Sequence, residues 1–169
     1  MNQKAEKFSQ MLAQLPDDNV FETREAEGDE DHLVLFRSSL EVKKDWFLPM
    51  VVFLDDTIYS IVRVWAMNDA VNDDNREKVR DYLTEMNRRY KVFKYYDTEQ
   101  GDVVIDACLP DNAEHFDPES VAVIIDVIWD HLKATYGDLE KAVKGVWLRS
   151  STGTNAGITA TNAKPTTTL

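Results

Sequence analysis

Three histidines, one cysteine and four tryptophans are the side chains of this sequence best equipped for chemistry. His32 follows Asp29 and Asp31, His115 precedes Asp117, and His131 adjoins Asp130. An imidazole beside a carboxylate suits a general base or a metal ligand. A metal site needs several ligands spaced so that one element aims them at one point, as in HExxH or paired Cys/His motifs. No such spacing occurs, and Asp130 and His131 leave a helix at different angles. All three histidines read as solvated or structural. Calcium loops also fail: counted from Asp17, position five is Phe21 and position six is no glycine, and counted from Asp69, position three is Val71. Asn72, Asp73, Asp74 and Asn75 read as helix-capping residues. Ser150–Thr154 has the composition of a phosphate cradle but neither the following lysine nor a helix. Neither a nucleophile elbow nor a dinucleotide fingerprint is present. Cys108 lies in an apolar run and reads as a buried, inert thiol; a single cysteine allows no internal disulfide and fits a reducing compartment. No catalytic residue, metal or cofactor is expected.

The chain has 169 residues, the size of one ordinary domain, and 43% hydrophobic with 30% charged residues is a globular composition. The net charge is −12. Nucleic acids and anionic membranes are bound mainly through Lys and Arg, so neither is an expected partner. The N-terminal MNQKAEKFSQMLAQL is too polar for a signal peptide, and the longest strongly apolar run, Phe47–Leu54, falls far short of a bilayer span. The cytoplasm is the expected location.

The elements that would carry these residues follow from periodicity. Phe8, Met11, Leu12 and Leu15 make a helical stripe stopped by Pro16. A short strand is expected near Val20–Thr23, then an antiparallel meander of His32–Leu40, Asp45–Leu54 and Ile58–Met67. Asp74 with Glu77 predicts a capping box opening a helix to about Arg89. Strands Lys91–Tyr96 and Asp102–Leu109 follow, joined by a loop whose Gly101 can take positive φ. Asp117-Pro118-Glu119 opens the longest helix, which Gly137 is expected to end, with a short helix from Asp138 to Gly145. Residues 147–169, rich in Thr, Ala and Asn, read as a tail, mobile or loosely held, after a single domain over 1–146. The predicted fold is α+β: one antiparallel sheet of about five strands, helices mainly on one face, in the order α-β-β-β-α-β-β-α-α.

A sheet covered on one side should alternate apolar and polar residues, as Val103, Ile105, Ala107 and Leu109 do against Asp106. The middle strands do not alternate. Trp46, Leu48, Met50, Val52 and Leu54 would share one face of their strand, and Phe47, Pro49, Val51 and Phe53 the other. In the next strand Val62, Val64 and Ala66 oppose Tyr59, Ile61, Trp65 and Met67, with Arg63 among the latter. Two long helices cover about one face of five strands, because helices pack about 8–10 Å apart and strands about 4.8 Å apart. The surplus is either covered by the first helix, tail and loops or left as an interaction patch. Trp46, Tyr59, Trp65 and Met67 are the candidate partner-binding residues, for a protein partner or a homodimer. The alternative is a small-molecule sensor or an enzyme of unrecognised type with a polar pocket. Pro49, unable to donate to a ladder, is expected at a bulge or an edge.

The stretch Asn75–Leu109, with YLTEMNRRY closing a helix, the strand KVFKYY, an acidic glycine turn and the strand VVIDACLP, resembles the YbjN family of bacterial sensory transduction regulators, as does the Asp-Pro-Glu helix opening that follows. The likeness covers roughly residues 3–140. The family's usual second Leu-Asn pair reads Glu85-Met86-Asn87, and the Thr-rich tail lies outside the pattern. The resemblance implies a fold like that of type III secretion chaperones and a dimeric bacterial cytoplasmic protein with a regulatory or chaperone-like binding role. It carries over no catalytic residue.

Overall fold

Val34, Phe36, Leu40 and Val42 recur at alternate positions of β2 (Val34–Lys43), and all four are buried. The same alternation puts Leu48, Met50, Val52 and Leu54 of β3 (Trp46–Leu54) on that side, with Val62, Val64 and Ala66 of β4 (Tyr59–Met67). Side chains two apart share a face of a strand, so these residues form one continuous apolar layer. In the computed structural model, which describes residues 1–15 and 21–148, this layer belongs to a six-stranded antiparallel sheet. With β1 (Glu22–Glu25), β5 (Lys94–Asp97) and β6 (Val103–Pro110), the spatial order is β1-β2-β3-β4-β6-β5.

Helices α1 (Gln3–Leu12), α2 (Arg76–Arg89) and α3 (Pro118–Val143) supply the other half of the core: Phe8, Val79, Tyr82, Leu83, Val121, Ile128, Leu132 and Leu139 are buried with the layer above. Phe8 meets Phe36 edge-on at a ring separation of 4.9 Å. Asn2 holds α1 in place: its Oδ1 accepts from Ala5 N (2.9 Å), and its Nδ2 donates to the carbonyls of His32 (2.9 Å) and Leu54 (2.8 Å). The buried Lys4 amine donates to the carbonyl of Thr57 (2.8 Å) and to Ser60 Oγ (3.2 Å). All three helices thus serve one face of the sheet.

The antiparallel α+β architecture agrees with expectation, but the strand count is six rather than five. The sixth strand, β1, is the short strand expected near Val20–Thr23 but left out of the count of five; it lies at Glu22–Glu25 and is fully exposed. Pro16, Val20 and residues 149–169, most of the expected tail, lie outside the described residues. The fifth strand begins at Lys94 rather than Lys91, because Phe93 turns into the core against Tyr90 and His131. Gly137 does not end the last helix. α3 runs through it for 26 residues, since Tyr136, Leu139 and Ala142 continue the buried stripe past it, and a mid-helix glycine costs only about 1 kcal/mol.

Asp117 caps α3 as expected, its Oδ1 accepting from Glu119 N at 3.1 Å. The expected capping box of α2 does not form. Its N-cap is Asn75, whose side chain instead ties the carbonyls of Ala70 (2.8 Å) and Val143 (3.0 Å), while Asn72 Oδ1 takes the N–H groups of Asp74 and Asn75. Pro49 marks no bulge, but it does occupy an edge position: it pairs with Ser39 of β2 and has no partner on β4. It stands just outside the β3–β4 ladder, which spans Met50↔Val64 to Phe53↔Ile61, where a missing N–H leaves no gap.

Candidate functional site

The opposite side of the sheet carries no helix, and its central residues fall into three rows set by the strand register. One row is Arg24, Leu35, Phe53, Ile61 and Cys108, running across β1, β2, β3, β4 and β6. The middle row is Glu22, Arg37, Val51, Arg63 and Asp106 on the same strands. The third contains Ser39 and Pro49 on β2 and β3, then Trp65, Val104 and Tyr96 on β4, β6 and β5.

On either side of the charged middle row, this face is apolar where a solvated face would be polar. Val51 and Val104 are buried, 8% and 1% exposed, yet neither belongs to the core cluster formed with the helices. Their cover is the face itself: Phe53, Ile61, Trp65 and Tyr96 are only half-buried around them. At the centre, Arg63 Nε and Nη2 donate to the two Asp106 oxygens at 2.8 and 2.7 Å, and Tyr96 Oη donates to Asp106 Oδ2 at 3.0 Å. The guanidinium lies over the Phe53 and Trp65 rings, at 5.5 and 5.8 Å from their centroids. Its hydrogen bonds to Asp106 hold the Arg63 pKa above the ordinary value against the opposing effect of burial, and burial raises that of Tyr96. The pairing satisfies both charges in the plane of the sheet, so a second apolar surface can cover them without stranding a lone ion.

The four residues chosen from the sequence do not form one patch. Tyr59 and Trp65 are on the helix-free face. Trp46 is on the helix side at the end of β3, 53% exposed, with Nε1 donating to Tyr136 Oη at 3.1 Å. Met67 has the sequence parity of Trp65, but a register shift between the two turns it toward the core. Trp46, Trp65 and Met67 do line one groove of about 470 Å³ between the sheet end and α3, floored by Tyr136 and Glu140. Phe53, Ile61 and Tyr96 were missed as site residues; the strand alternation already carried them. Cys108 corrects its own expectation: it is exposed, because it alternates with the buried Ala107 and Leu109 and so points to the helix-free side.

The histidines have three separate environments. His32 pairs with Asp56 (Nδ1–Oδ2 2.8 Å), far along the chain from the acids beside it in sequence, and His115 Nδ1 lies 2.9 Å from Asn112 Oδ1; both are exposed. His131 is buried among Tyr90, Phe93 and Tyr95, with Nε2 2.9 Å from Tyr95 Oη and no partner for Nδ1. Burial lowers its pKa to about 4, so it is neutral near pH 7. Among the described residues no group of three or more His, Cys, Asp or Glu is arranged to hold a metal ion, and no helix is long and apolar enough to cross a membrane. No protein-family model and no curated protein matches this chain.

Proposed function

We propose that this chain is a non-catalytic protein-binding or regulatory module, of chaperone-like or sensory-regulator type, that docks a protein through the helix-free face of its sheet. One observation carries the reading: on that face Phe53, Ile61, Trp65 and Tyr96 lie half-buried around the buried Val51 and Val104, and the central charges, Arg63 and Asp106, are already paired. Apolar burial at about 25 cal/mol per Å² supplies the driving force, and aromatic side chains such as Trp65 are the usual anchors. The edges of the sheet are poor alternatives. β1 and β5 are four residues each and charged, a pattern that discourages strand addition. The resemblance to the YbjN family points the same way and would place the protein in a bacterial cytoplasm. With a charge of −12, nucleic acid is a poor partner.

The test is affinity capture from the host with the native chain and Trp65→Glu side by side, followed by calorimetric titration of each captured protein in pure form. The expected result is binding to the native chain that the variant loses while keeping its native circular dichroism. Equal binding by both refutes this face. The second reading, a small-molecule sensor, has one observation in its favour, the groove lined by Trp46, Trp65 and Met67. It predicts a thermal shift with some metabolite, nucleotide or metal, and Trp46→Ala abolishes it.

A further inference from the structure

We infer that the groove where the ends of β3 and β4 meet the end of α3 is a binding site for a small aromatic anion, a flat ring system carrying one carboxylate. The inference rests on the second reading given above, the small-molecule sensor, and names the class of its ligand.

The first argument is how the groove is built. The β3–β4 ladder stops at Met50↔Val64, although β3 starts at Trp46 and β4 runs on to Met67. Beyond that pair the two strand ends form two sides of the groove, and α3 forms the third. Its volume of about 470 Å³ falls within the range of small-ligand sites, about 300–1,000 Å³. Trp46 and Phe47 line it and are 53% and 56% exposed, and the half-buried Trp65 lines it from β4. Aromatic rings left bare along a concave wall suit a flat apolar body.

The second argument is the set of polar groups left without a partner. Among the described residues, Glu140 and Lys144 are the only charged side chains that line the groove. Glu140 is already matched, with Lys43 Nζ 2.7 Å from its Oε2. Lys144 is exposed and has no hydrogen bond or ion pair among the described residues. Tyr136 Oη accepts from Trp46 Nε1 at 3.1 Å, and its own proton has no acceptor among the described residues. Lys43 lies over the Tyr136 ring, 4.9 Å from its centroid, so that face is taken and the hydroxyl edge is what Tyr136 offers a ligand. Both leftover groups are donors, and one is a cation, so they call for an acceptor that carries negative charge. A cationic ligand would meet Lys144 and would have to displace Lys43 from Glu140. A neutral ligand would gain nothing from Lys144. The chain's charge of −12 does not decide against an anion, because salt at about 0.15 M screens exposed charges beyond about 8 Å.

The experiment is calorimetric titration of the purified full chain with three probes of similar shape: 2-naphthoate, 2-naphthalenemethanol and 2-naphthylmethylammonium. The carboxylate is expected to bind at least about tenfold tighter than the alcohol, with the ammonium weakest. Lys144→Gln, at an exposed site where folding is not in question, is expected to bring the carboxylate down to the affinity of the alcohol and to leave the alcohol within about twofold of its native value. Trp46→Ala is expected to weaken the carboxylate and the alcohol at least about tenfold. Trp46 and Lys144 both lie off the helix-free face, so neither variant disturbs the protein docking proposed above. Equal affinity for carboxylate and alcohol, or a preference for the ammonium, overturns the inference and leaves the groove as a sensor site for another ligand class. A carboxylate preference that survives Lys144→Gln, or binding that ignores Trp46→Ala, overturns the placement of the site and the inference with it. Silence from all three probes also overturns the inference, and the thermal-shift screen above then decides the sensor reading alone.

Discussion

Arg63 and Asp106 stand opposite each other on β4 and β6 and form a two-point ion pair, at 2.8 and 2.7 Å, in the middle of an apolar sheet face. Each is about a quarter to a third exposed, so truncating either leaves a partly desolvated charge behind. Arg63→Met or Asp106→Leu alone is expected to cost about 1–3 kcal/mol. The double substitution removes both charges and is expected to cost less than the two single costs together. Urea denaturation of the four forms checks this; strictly additive costs would mean the pair is not coupled.

His131 makes stability depend on pH in a defined window. Its folded pKa of about 4 lies below the ordinary 6.5 because burial disfavours the charged ring. The unfolded chain therefore binds more protons between those values, and stability falls as pH drops from 6.5 toward 4, then levels off. The full effect is on the order of 3 kcal/mol. His131→Phe should flatten this part of the profile, measured as denaturation midpoints from pH 7 to pH 4. An unchanged slope would place the titration elsewhere.

Gly137 and Gly101 should respond to alanine in opposite directions. Gly137 lies inside α3, and a Cβ there would meet nothing within 4 Å. Gly137→Ala is expected to stabilise by about 0.5–1 kcal/mol. Gly101 has φ near +89°, and a Cβ there would meet the Val71 carbonyl oxygen at 2.5 Å, in the turn where Gly101 O accepts from Ala70 N and Val71 N. Gly101→Ala should cost about 2 kcal/mol or more. Calorimetric melting of both variants provides the comparison.

Lys4 is 1% exposed, and its amine serves the backbone of the turn into β4. Lys4→Met keeps the packing of the stem and removes the donors, and should cost about 1–3 kcal/mol. Hydrogen exchange should show the loss first in α1, which this residue and Asn2 fasten to the sheet. Uniform loosening of all three helices would contradict that placement.

Much of this molecule was legible in its sequence, because alternation and helical period are local. The four long strands, the Asp117 cap and the two apolar faces of β3 and β4 follow from residue spacing alone. What spacing could not give is anything that depends on which chain segment lies alongside. β1 was expected near Val20–Thr23, but its span of Glu22–Glu25 is fixed by backbone pairing with β2. Met67 leaves the face of Trp65 because of a register shift against β6 that no local pattern records. Gly137 stays helical because the sheet beneath α3 continues to reward burial beyond it. The composition of the helix-free face was thus written in the sequence. Its three rows, and the meeting of Arg63 with Asp106 43 residues further on, were set by tertiary pairing, since only the order of strands in the sheet decides which side chains become neighbours.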